Sequence, residues 1–385
     1  MSREAKSSTP MTFGLLLGLC VCCNLQVARA TAAHRTPFHA VTVLALPHQG
    51  SGLAVEEEPT PGPRITIAAV GDIQLGSGWP EERAVLPPGQ AESMFRHVTE
   101  RLRTADVTFG NLETVLADSG ESTKCRRGSG NCYAFRAPTS YAATLRATGF
   151  NLLSVNNNHA ADFGTFGLQA TAVALDEAGI LHSGPLGLAS WETQSVTMAM
   201  LAFSTGDGPY RVQDIEAAQA AVREASRAHD LVLVSFHGGA EGPGATHVPK
   251  APETAFGENR GDVYAFAHSL VDAGADLVLG HGPHVLRGME IYRGRLIAYS
   301  LGNFAAWHGF NLRGPLGLSA ILNVTLAPNG VVTAAEIHPV YLEAPGVPKP
   351  DPERRAVAII RTLSREDFGD AVFDEDGKFD RSRRR

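Results

Sequence analysis

Apolar, strand-like runs recur along this chain, and nearly every one stops at glycine beside Asp, Asn, Glu or His. RITIAAV ends at Gly71-Asp72-Ile73-Gln74, and DVTF ends at Gly110-Asn111-Leu112-Glu113. FNLLSV runs into Asn156-Asn157-Asn158-His159, with Asp162 following. DLVLVSF ends at His237-Gly238-Gly239 with Glu241 beyond, and ADLVL at Gly280-His281-Gly282-Pro283-His284. A last run closes at Ser300-Leu301-Gly302-Asn303. Between these runs lie segments of helical periodicity: 91–105, 137–149, 165–179, 212–228 and 260–274. Strand alternating with helix predicts a layered α/β fold. The later runs, 285–300 and 318–342, lack intervening helices and predict a second, mostly antiparallel sheet, with a tight turn at Asn329-Gly330.

In such folds the carboxyl ends of parallel strands share one edge, where ligands bind. A single polar residue after a strand is ordinarily a turn or cap residue. Repetition at successive strand ends, with histidines among them, exceeds what caps require. Asp, Asn and His together make a donor set for a hard-to-borderline divalent metal.

The rest of the chain sets the surroundings. Arg3 and Lys6 precede the apolar FGLLLGLCVCC, which leads to a small-x-small ending at Ala28 and Ala30. This is the layout of a signal peptide over 1–30, cleaved after Ala30, and it predicts export to the periplasm, envelope or extracellular space. A retained anchor, or a lipid anchor on Cys20, Cys22 or Cys23, is the alternative. The proline- and glutamate-containing segment 31–63 reads as a linker. Residues 64–345 read as the folded domain, and 346–385 as a helix and charged tail. Outside the leader only Cys125 and Cys132 remain, and their close spacing in a Gly/Ser-containing loop predicts a disulfide. The net charge of −7 argues against general nucleic-acid binding. An anionic ligand would need a local source of positive charge.

GDIQL, GNLE, NNNHAAD, SFHGGAE, GHGPH and SLGNF, in this order, resemble the bacterial CapA (poly-gamma-glutamate capsule synthesis) family, itself similar to calcineurin-like metallophosphoesterases. The resemblance implies a four-layer α/β/β/α sandwich of the metallophosphatase type, with two divalent ions (manganese, iron or zinc) at the strand ends. It implies Asp72, Asn111, Glu113, Asn158, His237, His281 and His284 as metal ligands. His159 takes the place of the catalytic proton donor, with Asp162 orienting it. The chain departs from the phosphoesterase pattern at Gln74, where a histidine is expected, and at Asn111, where a bridging aspartate is expected. Two residues, Gly282 and Pro283, separate the closing histidines where that pattern has one. Two functions follow. One is a metal-dependent hydrolase or transferase acting on a phosphoester or on an anionic envelope polymer such as poly-gamma-glutamate. The other is a non-catalytic polyanion-binding protein that works with membrane capsule-assembly proteins.

Overall fold

The computed structural model describes residues 58–80, 84–86, 91–126 and 132–380. The signal-peptide expectation and most of the linker, up to residue 57, lie outside the described residues. Two sheets carry the fold. The first has eight strands: Val347–Pro350, Val332–Glu343, Leu318–Leu326, Ile65–Gln74, Val107–Leu112, Leu152–Ser154 and Leu181–Ser183 in spatial order, with Asn303–Ala306 pairing alongside Ile65–Gln74. The second has six: Met289–Tyr292, Arg295–Ala298, Leu277–His281, Leu231–His237, Val196–Ser204 and Ala189–Thr193.

The four layers follow from alternation along the strands. Ile65, Ile67, Ala69, Val107 and Phe109 of the first sheet pack against Met198, Met200, Leu231, Leu233, Leu277 and Leu279 of the second. Their strand neighbours turn outward. Ala68, Val70 and Leu153 meet Phe95, Tyr141, Leu145 and Leu175 on helical segments. Val232, Val234, Phe236 and Val278 meet Val222, Phe266 and Leu270 on the helices Ile215–Ala228 and Val263–Ala273. These two helices start at Asp214 and Asp262, whose carboxylates accept from the amides of Ala217 and Ala265.

The structure departs from the sequence expectations in three places. Of the two late runs, only 285–300 enters the second sheet, as the antiparallel hairpin of Met289–Tyr292 and Arg295–Ala298. Leu318–Leu326 and Val332–Glu343 join the first sheet antiparallel to Ile65–Gln74, while the second sheet is mainly parallel and comes from the middle of the chain. A hairpin not anticipated from the sequence pairs Ala189–Thr193 with Val196–Ser204 and reverses at Gln194 and Ser195, with φ of 51° and 63°. Neither residue advertises that left-handed turn. The helical run over 91–105 breaks into Ala91–Phe95 and Thr99–Leu102.

The C-terminal segment is part of the packed unit up to residue 380. Val347–Pro350 forms the sheet edge, and the helix Arg355–Phe368 places Ala356, Val357 and Ile360 in the inter-sheet core with Phe373. Cys125 and Cys132 form the expected disulfide, with Cα atoms 5.6 Å apart. Among the described residues no helix is long and apolar enough to cross a membrane. Replacing the fully buried Ile360 by alanine is expected to lower unfolding stability by about 3 kcal/mol, read by chemical denaturation. A loss below about 1 kcal/mol would mean that this helix is peripheral.

Candidate metal centre

Register brings the polar strand ends together. Asp72 pairs with Asn111 on one side and Asn303 on the other, and Asn111 pairs with Ser154. In the second sheet Ser204, His237 and His281 stand in one row. The approach is close. A Cβ on Gly71 would lie 1.8 Å from the Gly302 carbonyl oxygen, which accepts the Asp72 amide at 2.9 Å. Only glycine fits there.

Asp72, Glu113 and His284 offer three donor atoms within 4.8 Å of one another. His284 sits in the left-handed region, φ 61°, just after Gly282-Pro283. Such backbone strain in a non-glycine residue is characteristic of functional sites. Its Nδ1–H donates to Asn303 Oδ1 at 2.9 Å and lies 3.2 Å from Asp72 Oδ2. That leaves Nε2 toward Glu113. Both Glu113 carboxylate oxygens are buried without a hydrogen bond. Oε1 lies 3.9 Å from His159 Nε2, 3.9 Å from His237 Nε2 and 3.8 Å from His284 Nε2. These separations are too long for hydrogen bonds. They leave a buried carboxyl oxygen facing three imidazoles across a gap.

Electrostatics follow from this crowding. Burial opposes ionisation of Asp72, but the hydrogen bond and charge of His284, with smaller contributions from His281 and His237, hold its carboxyl well below the usual range. Burial pushes Glu113 well up, and the Asp72 charge adds to this against the opposing pull of His284. His284 itself is pushed up to about 10: burial works against its charge, and Glu113 and Asp72 outweigh burial. Burial pulls His237 and His281 down. The cluster thus sets two buried carboxyl groups against His284. The orphaned Glu113 Oε1 and Oε2 and Asp72 Oδ2, with His237 Nε2 3.9 Å from Glu113, are a donor set that fits a divalent cation.

The remaining expected residues occupy distinct positions. Asn111 donates from Nδ2 to Asp72 Oδ1 at 2.8 Å, lies 3.3 Å from His237 Nδ1, and accepts from Asn157 Nδ2. Its amide is therefore occupied in spacing its neighbours, and Glu113, two residues on, reaches the centre. His281 is buried just beneath. Its Nε2 lies 3.2 Å from the Val70 carbonyl and its Nδ1 3.4 Å from Ser235 Oγ, so both ring nitrogens have partners. Asn158 is half-buried, with its carbonyl Oδ1 unpartnered. Gln74 turns away: its amide donates to the Gly76 carbonyl and accepts the Gly76 N–H.

His159 donates from Nδ1 to Asp162 Oδ2 at 2.8 Å, packs on Phe135 with centroids 4.4 Å apart, and presents Nε2 to Glu113. Burial lowers its pKa, partly offset by Asp162. Each asparagine of the 156–158 run has its own task. Asn156 ties the loop to Ala202 and Ser204, Asn157 holds Asn111 and the His159 amide, and Asn158 supplies the free oxygen. Sequence reasoning left several contributors unassigned. Asn303 stands in the SLGNF motif and sets the His284 ring. Lys124 and Phe135 flank the disulfide and contact Asp162. Arg260 pairs with Glu241 at 2.5 Å and adds positive charge near Glu113.

Comparison with known proteins identifies the family. Residues 66–307, which span every strand end from Asp72 to Asn303, match the family described as "Bacterial capsule synthesis protein PGA_cap". "Uncharacterized protein y4uA" of Sinorhizobium fredii (strain NBRC 101917 / NGR234) is 29% identical over 312 residues, 62% of this chain and 66% of that protein. The chain therefore spans just under two thirds of that relative's length. "PGA biosynthesis protein CapA" of Bacillus subtilis (strain 168) is 28% identical over 337 residues, 82% of this chain and 81% of that one. Among solved structures, a 5'-nucleotidase precursor from Thermus thermophilus overlaps 78% of this chain and 58% of its own, at 15% identity and a TM-score of 0.40. The family match covers well over half of the sequence and carries the whole strand-end cluster: the chain belongs to the bacterial capsule synthesis protein PGA_cap family.

Proposed function

We propose that this protein is an exported, metal-dependent hydrolase or transferase acting on a phosphoester or on an anionic envelope polymer, with poly-gamma-glutamate as the leading candidate. The observation that carries it is Glu113: a buried carboxylate without a hydrogen bond, ringed by three imidazole Nε2 atoms at 3.8–3.9 Å. Asp72, Glu113 and His284 would hold a divalent cation, with His237 and Asn158 completing the shell or serving a second ion. A cation held there supplies charge that polarises a phosphoryl or acyl oxygen and offsets negative charge on the ligand.

The chain's own residues would manage the proton. His159 Nδ1–H is fixed on Asp162, so Nε2 is the atom presented to a leaving group. Its lowered pKa makes the protonated ring a strong donor when it forms. A second reading, a non-catalytic polyanion binder, draws support from Gln74 and Asn111. Both side chains are committed to hydrogen bonds at positions where phosphoesterases place ligands. A pure binding site has less use for the His159–Asp162 pair.

Three outcomes are expected. With added manganese, wild type hydrolyses a generic phosphodiester and His159→Ala is slower by roughly a hundredfold or more. Equal, near-zero rates with metal still bound would instead establish the binder. In metal titrations, Glu113→Gln loses affinity by on the order of a hundredfold, whereas Gln74→Ala, whose amide is locally satisfied, stays within about twofold. The pH dependence has a definite sign. Without metal, His284 keeps its second proton up to about pH 10, so a cation must displace that proton. Affinity is expected to climb as pH rises from 6 to 9, with protons released from His284 and Glu113 on binding, read calorimetrically in buffers of different ionisation heat.

A further inference from the structure

We infer that Lys124, held in place by the Cys125–Cys132 disulfide, is the cation that receives the anionic oxygen of the ligand beside His159. This rests on the reading above that the strand-end cluster takes an anionic ligand. Lys124 Nζ stands 3.2 Å from Asp162 Oδ1 and donates to the Asn158 carbonyl at 3.0 Å. It lies 3.5 Å from His159 Nδ1, but that nitrogen gives its proton to Asp162 and has no lone pair to offer. An ammonium carries three donors. One is given to the Asn158 carbonyl, the contact with Asp162 Oδ1 is an ion pair, and the side chain remains 38% exposed, so donor capacity is left for a ligand. One spare, partly exposed donor next to the proposed proton donor is what an incoming phosphoryl or carboxylate oxygen requires.

The disulfide accounts for how a lysine is held so near a buried histidine. Both chain segments that it joins are hydrogen-bonded to Asp162. On the Cys125 side, Ser122 Oγ and the Thr123 amide donate to the Asp162 carbonyl at 2.9 Å each, and the Cys125 amide donates back to Ser122 Oγ. On the Cys132 side, the Phe135 amide donates to Asp162 Oδ2 at 2.8 Å, the same oxygen that accepts from His159. Asp162 is fully buried, so the partners of its carboxylate, His159, the Phe135 amide and Lys124, matter to its charge, and the bonds to its carbonyl fix its backbone. The crosslink makes one clasp of two segments, with Lys124 directly before its first cysteine. Lys124 is thus a ligand-binding residue, and the disulfide a positioning device for it.

The test measures binding of inorganic phosphate and, separately, of a short oligo-γ-glutamate to the oxidised full chain, with and without manganese, by calorimetry. Lys124→Met is expected to weaken at least one of these anions about tenfold while leaving manganese affinity unchanged. Lys124→Arg is expected to retain most of the binding. Cys125→Ser/Cys132→Ser is expected to show the same loss, and adding Lys124→Met to it no further loss. A melting curve checks each variant, and Lys124→Gln replaces Lys124→Met if the latter unfolds. A loss confined to phosphate assigns the subsite to phosphoesters, and one confined to the peptide assigns it to carboxylate polymers. The inference is overturned if Lys124→Met and Lys124→Gln bind both anions as wild type does, if wild type binds neither, or if the cysteine variant binds normally. Should wild type take up no manganese yet bind an anion through Lys124, the metal reading falls and this one stands.

Discussion

A carboxylate buried without a donor is expensive, and proteins retain one only where something else compensates it. Glu113 is that group here, and the architecture is arranged around it. Register along the first sheet delivers Asp72 and Asn111 to the same edge, and register along the second delivers His237 and His281 opposite. The tight Gly282-Pro283 connection then swings His284 across the gap. None of these elements alone makes a site. The sandwich makes one because both sheets end at the same place.

The fold was legible in the sequence because the two alternations, apolar with polar along a strand and strand with helix along the chain, are coarse and repeated. Strand ends were legible for the same reason: glycine followed by Asp, Asn or His stands out against an apolar run. Less legible was which member of each cluster faces inward. Asn111 and Glu113 are two residues apart, and only geometry shows that the first braces Asp72 while the second enters the centre. His281 and His284 look equivalent in GHGPH, yet one is tucked under the Val70 carbonyl. Asn303 was visible as a motif residue, but its grip on His284 comes from a pairing more than two hundred residues distant along the chain, between Asp72 and Asn303. The run over 318–342 was misplaced because antiparallel pairing with Ile65–Gln74 is a tertiary fact that no local pattern encodes.

Family membership and the local chemistry bear on each other. Departures from the phosphoesterase pattern are not simple losses. Gln74 is recruited to close a turn on Gly76, and Asn111 to fix Asp72 and His237. Meanwhile the His159–Asp162 pair is reinforced by a crosslinked loop that lies outside the strand-end pattern.

The placement of Ile65–Gln74 has a consequence for how the molecule comes into being. This strand lies between Val107–Leu112 on one flank and Leu318–Leu326 on the other, and the helix Arg355–Phe368 then caps the space between the sheets. A ribosome or translocon releasing the chain from its amino end therefore supplies one neighbour early and withholds the other until some 250 residues later. Long-range closure of this kind is slow. One flank of the nascent strand must stay unpaired, and open to chaperones, through much of the synthesis.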